Sequence, residues 1–185
     1  MMLLTCCGLG KMPFASGTWG SLGAAVFSAW LLNIGIESGH LTVALFFLAA
    51  SSLVLFKLGV KASDEYMTET KTSDPGLIVI DEWVGQMLAT LIFVIGMGLS
   101  STISGTFSKA VFVEYHGVEK WLIGGLLQGG LFILFRFYDI AKPWHAGWAD
   151  REVEGGMGVM LDDVFAGVYA GVTALGIGWL IAALI

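Results

Sequence analysis

The sequence predicts an all-α polytopic membrane protein, a single domain over residues 1–185, with about five transmembrane helices and an acidic site on its cytoplasmic face. Three observations carry that reading. A hydrophobic fraction of 56% and a mean hydropathy of +0.81 exceed what a soluble domain of this length uses. Only 13% of the residues are charged, and they cluster, leaving five apolar runs near the twenty residues that a bilayer core requires. Three short polar stretches, each abutting such a run, hold Asp74, Asp81 and Glu82, then Asp139, then Asp162 and Asp163. An ionised carboxylate at the centre of a bilayer costs roughly 2.5–3.5 kcal/mol on insertion scales, so acids at the edge of the hydrocarbon imply a use.

The spans follow in order. Trp19–Ile36 and Leu41–Gly59 are separated only by Glu37-Ser38-Gly39-His40, which makes them a helical hairpin. Ser51 and Ser52 in the second can return their hydroxyls to preceding carbonyls. Trp83–Leu99 is the shortest, with Gly96 and Gly98 near its end; Trp121–Tyr138 and Val159–Ile185 complete the set. Trp19, Trp83 and Trp121 open three of the runs, where amphipathic rings favour the headgroup level. The glycines within the spans let helices approach closely. Ser100–Lys120 reads as an exposed loop or a short amphipathic piece, and Met1–Gly10 lacks the basic start of a signal peptide.

Threading five spans places the N-terminal segment and the loops Val60–Glu82 and Asp139–Gly158 on one side. That side carries Lys11, Lys57, Lys61, Lys71, Arg136, Lys142 and Arg151, against Lys109 and Lys120 on the other. By the positive-inside rule the basic side is cytoplasmic, and all three acidic stretches face it together. A net charge of −6 argues against nucleic acid. Divalent ions among the acids would still invert the local field and welcome an anionic phosphate.

Two acid pairs form the main constellation. Asp81-Glu82 is followed one turn on by Gly85, and Asp162-Asp163 by Ala166 and Gly167. The small residue leaves room for an ion or for another helix. Acids at a helix start also cap orphan N–H groups and offset the macrodipole, which explains one acid per helix better than two. Oxygen ligands from different helices, with no Cys or His ligand spacing, point to a hard cation: Mg²⁺, with Mn²⁺ suiting the same set. Adjacent Cys6 and Cys7 suit neither a disulfide nor zinc.

Arg136, Asp139 and Lys142-Pro143 read either as a phosphate clamp or as an i,i+3 ion pair beside a basic flank. Gly17 and Thr18 lie in a Gly-rich segment whose backbone N–H groups could cradle phosphate, although no Walker pattern is present. His40, His116 and His145 share no helical face. Asp-x-Asp, Cys-x5-Arg and Gly-x-Ser-x-Gly nucleophile motifs are all absent from the sequence, which leaves metal-activated water as the economical route to hydrolysis.

Taken together, Gly8-Leu9-Gly10, Pro13, Gly17-Thr18-Trp19-Gly20-Ser21, Asp74-Pro75, Ile78-Val79-Ile80-Asp81-Glu82-x-x-Gly85, Arg136-x-x-Asp139-x-x-Lys142-Pro143 and Gly155-Gly156-x-Gly158-Val159-Met160-Leu161-Asp162-Asp163-x-x-Ala166-Gly167 resemble the phosphatidylglycerophosphatase A family. Ser16 stands where that family usually has Pro. The resemblance implies a Mg²⁺-dependent enzyme of the bacterial inner membrane that hydrolyses phosphatidylglycerophosphate to phosphatidylglycerol and phosphate. On that reading Asp81, Glu82, Asp162 and Asp163 serve the metal, with Asp139 as a further catalytic carboxylate. Arg136, Lys142, Gly17 and Thr18 then bind the substrate. The rival reading is a cation or small-solute transporter, whose acids should lie near mid-membrane with openings on both sides. A CDP-alcohol-type transferase would need a spaced Asp pattern that is absent.

Overall fold

The computed structural model describes residues 1–72, 76–104 and 118–184, and every regular element among them is helical. After a short 3₁₀ turn at Leu9–Lys11 come α1 (Ser16–Glu37), α2 (Leu41–Thr70), α3 (Ile80–Ser104), α4 (Val118–Ala141), α5 (Trp144–Glu152) and α6 (Gly155–Leu184). Among the described residues four stretches are long and apolar enough to cross a bilayer: Ser16–Glu37, Leu41–Thr70, Ile80–Leu99 and Gly155–Ile181. The predicted span Trp121–Tyr138 falls on α4, which is 24 residues long but is not one of those four. Five crossings is thus an approximate figure.

Several boundaries differ from the sequence reading. The stretch Val60–Thr70, read as loop, continues α2 as helix, with a Lys61–Glu65 pair at i,i+4 and Ser63 buried. The loop Asp139–Gly158 contains α5. The last helix starts at Gly155, so the Gly-rich run forms its first turn. Glycine disfavours helix, but here the backbone N–H of Gly156 donates to Asp64 Oδ1 of α2 at 2.5 Å, an N-terminal bond supplied by another helix. The Ser73-Asp74-Pro75 stretch and most of the segment Ser100–Lys120, expected as a loop, lie outside the described residues.

Helix α3 is the centre of the bundle, packed most extensively on α6 and flanked by α1, α2 and α4. Its closest crossing is glycine on glycine. A Cβ on Gly167 would lie 3.1 Å from the Gly85 Cα, and one on Gly85 would lie 2.5 Å from the Asp163 carbonyl. Both glycines sit four residues beyond an acid, so the approach that joins the backbones here brings Asp81 and Asp163 face to face one turn away. Below this crossing, Phe93, Met97, Leu131, Phe135 and Ala170 form an apolar core, with Thr90 and Gln128 bonded to each other at 2.9 Å. Trp83 is half-buried and packs against Phe27.

The N-terminal segment folds over the start of α3. Leu4 and Thr5 are buried, and the Val79 N–H donates to the Leu4 carbonyl at 2.9 Å.

Candidate active site

The site is at one end of the bundle, where the starts of α1, α3 and α6 meet the ends of α2 and α4, with α5 beside them. Asp81 and Glu82 occupy the first turn of α3. Asp162 and Asp163 lie two turns inside α6, not at a helix start, because that helix begins earlier than the sequence suggested. Capping therefore accounts for neither acid of the second pair.

Oxygens of Asp81, Glu82 and Asp163 come within 4.8 Å of one another. Glu82 Oε2 and Asp163 Oδ1 are buried without a hydrogen-bond partner among the described residues. Buried carboxylate oxygens are costly unless a donor or a cation meets them. An all-carboxylate set with such orphaned oxygens fits a hard divalent ion such as Mg²⁺.

Asp162 stands apart from that triplet. Its Oδ2 accepts a hydrogen bond of 2.7 Å from Lys142 Nζ, and its Oδ1 accepts one of 2.9 Å from the Asp163 N–H. Lys142 also donates to Asp150 of α5. Burial opposes the charge of Lys142, but these two carboxylates outweigh it and hold the ammonium above the usual lysine range. Lys142 is accordingly a fixed positive charge. Its backbone is left-handed, with φ of 43°, where α4 has stopped before Pro143. Such a conformation costs a non-glycine residue about 1–2 kcal/mol.

Arg136 pairs with Asp139 and lies 4.0 Å from Glu82 Oε1. Its Nη1 also donates to Ser21 Oγ at 3.3 Å, and Ser21 in turn donates to the Gly17 carbonyl at 2.6 Å. The i,i+3 ion pair is the arrangement present, and in it Asp139 fixes the guanidinium beside the acids. A Cβ on Gly17 would run into the Glu82 carboxylate and lie 3.1 Å from Arg136 Nη1, so a larger residue there would displace both side-chain ends. Thr18 does not line the cleft; its N–H closes the first turn of α1 on Ala15. Ser16 lies at the first position of α1, where Pro is favoured, and its hydroxyl donates to the Gly76 carbonyl at 2.5 Å.

All these acids and both cations border one open cleft of about 710 Å³, shared with Asp150, Arg151 and Glu154. Sequence reasoning missed Asp64 and Asp150. Neither stands in a motif: Asp64 acts through Gly156, far away in the chain, and Asp150 through Lys142 across the short turn between α4 and α5. His145 bonds Tyr169 at 2.9 Å and does not line the cleft. Burial pushes the Cys6 thiol up to about 12, with the Glu82 charge adding to it, so it remains protonated and is no nucleophile.

The pattern that defines phosphatidylglycerophosphatase A matches residues 2–178. The chain is 30% identical over 164 residues to phosphatidylglycerophosphatase A of Haemophilus influenzae, covering 88% of this chain and 78% of that protein. It is 30% identical over 161 residues to the Escherichia coli protein of the same name, covering 87% and 73%. A protein of Bacteroides thetaiotaomicron with the provisional name phosphatidylinositol-3-phosphatase is 29% identical over 94% of this chain and 90% of its own length. No solved structure matches.

Proposed function

The chain belongs to the phosphatidylglycerophosphatase A family, and from that premise we propose that it is a Mg²⁺-dependent phosphatase of the inner membrane. Its substrate is phosphatidylglycerophosphate and its products are phosphatidylglycerol and inorganic phosphate. The observation that carries the reading is the convergence of three carboxylates with Arg136 and Lys142 on one cleft. The convergence of the acids at one end of the bundle favours this over a transporter, whose acids would lie near its middle.

Asp81, Glu82 and Asp163 would hold the ion, and Asp162 would contribute through Lys142. When bound, the metal supplies charge neutralisation and a water of lowered pKa. The chain's own groups do the rest. Arg136, held by Asp139 and Ser21, offers a guanidinium to the equatorial phosphoryl oxygens, where charge spreads in the transition state. Lys142, held by Asp150 and Asp162, adds a second positive charge to the cleft. In the overall reaction, water oxygen bonds to phosphorus, the bond to the glycerol oxygen breaks, and that oxygen takes up a proton.

The cleft faces the cytoplasm, as the basic flanks suggest. A cysteine at Thr70 in intact cells should then react only with permeant reagents, and labelling by impermeant ones would reverse the orientation. Function is tested by phosphate release from phosphatidylglycerophosphate in detergent. Turnover should vanish in EDTA and return with Mg²⁺; full turnover with metal removal verified would overturn the metal-assisted reading.

A further inference from the structure

Arg151 is a cation of the cleft that the reaction does not use. Arg136 is committed to Asp139 and Glu82, and Lys142 to Asp150 and Asp162. Arg151 borders the same cleft, is exposed, and has no ion pair or hydrogen bond among the described residues. It lies in the last turn of α5, one position after the Asp150 that Lys142 grips.

Two features of α5 place this guanidinium. Gly147, one turn back, is buried, and a Cβ there would lie 3.0 Å from Arg151 Nη1 and 3.4 Å from Nη2. The guanidinium therefore lies back along the helix, over the turn that packs on the Lys142 carbonyl. Trp144, Trp148 and Arg151 follow at i, i+4 and i+7, one exposed face, while Ala146 and Ala149 are buried. The Trp144 and Trp148 side chains are 76% and 48% exposed. Exposed indoles on a short helix seek the level of lipid headgroups, and an Arg on the same face then meets lipid phosphate.

We infer that Arg151 binds the phosphodiester of the lipid substrate and so selects lipids with a phosphodiester and a separate terminal phosphomonoester. The inference rests on the lipid-phosphatase reading above. Phosphatidylglycerophosphate has both groups: the monoester goes to the acids, and the diester stays near the membrane with the acyl chains. A phosphorylated phosphatidylinositol, the substrate type in the name of the Bacteroides relative, shares that pairing. Phosphatidic acid has the monoester alone. Arg suits the diester because its planar fork can meet both non-bridging oxygens at once.

The test compares wild type, Arg151→Gln and Arg151→Lys in mixed micelles. It measures KM for phosphatidylglycerophosphate and the inhibition constants of phosphatidylglycerol, which keeps only the diester, and of inorganic phosphate. In Arg151→Gln, KM and the phosphatidylglycerol constant should both rise about tenfold, as expected for a lost charge-assisted contact. The inorganic phosphate constant should stay within about twofold, and Arg151→Lys should recover part of the loss. An equal rise for both inhibitors would move Arg151 to the phosphoryl group being cleaved. No change in either would reduce it to a basic flank. Both results overturn the inference while leaving the phosphatase intact. A wild-type protein that releases no phosphate from the lipid would instead overturn the phosphatase reading, and this inference with it.

Discussion

Helices α3 and α6 each offer two adjacent acids to the cleft, and the two helices use them differently. In α3 both acids join the cluster, from a first turn whose exposed N–H groups and dipole favour negative charge. In α6 the pair lies two turns from the helix start, and its members part: Asp163 joins the cluster while Asp162 turns to Lys142. Neighbours on a helix point about 100° apart, so in mid-helix two adjacent side chains reach different partners. The first pair gathers charge, and the second links the acidic wall to the cationic one.

That contrast can be broken by substitution. Asp163→Asn should lower kcat by about a thousandfold and weaken Mn²⁺ binding, read by electron paramagnetic resonance, to a similar degree as Asp81→Asn. Asp162→Asn should cost only about tenfold in turnover and leave Mn²⁺ binding near wild type, because its carboxylate acts through Lys142. Equal losses of Mn²⁺ binding in all three would place Asp162 among the ligands and end the distinction.

A finer test is the coupling of Asp162 to Lys142. Lys142→Gln should reduce kcat/KM by about ten- to hundredfold, and adding Asp162→Asn should cost little more, since residues in contact are not additive. Full additivity would mean that the two act independently. The smallest effect concerns the crossing that brings the pairs together. Gly167→Ala should destabilise the protein by about 1–3 kcal/mol, seen as a lower Tm, because its Cβ meets the Gly85 backbone. Gly124→Ala, on α4 with nothing within 4 Å of the added Cβ, should not lower Tm and should raise it slightly, since alanine favours helix over glycine.

Much of this was legible in the chain. Apolar runs mark the long helices because a bilayer demands length and hydropathy, both local properties. The glycines after each acid were readable too, since only another backbone or an ion profits from a missing side chain there. What stayed hidden depends on partners far away in sequence. Val60–Thr70 is polar enough to look like loop, and only its contact with α6 shows why it is helix. The Gly155–Gly158 run was read as the end of a loop, and the Asp64 bond that holds it in a helix against glycine's helix penalty has no local signature. The division of labour between Asp162 and Asp163 needed the register of α6, which the shifted start changes. Thr18 was read with Gly17 as one segment, but a helix turns neighbours to different faces.

Helix α2 is 30 residues long, about 45 Å at helical rise, against a hydrocarbon layer of about 30 Å. Its final turns outrun the membrane, and Asp64 on that projecting part grips the first turn of α6. Bilayer thickness therefore becomes a variable of the active site. A thinner membrane tilts a long helix, and tilt in α2 moves Asp64 sideways, carrying the Gly156 N–H and the turns leading to Asp163 with it. Acyl-chain length of the surrounding lipid should thus set turnover independently of the substrate's own concentration, with an optimum where α2 and α6 tilt together.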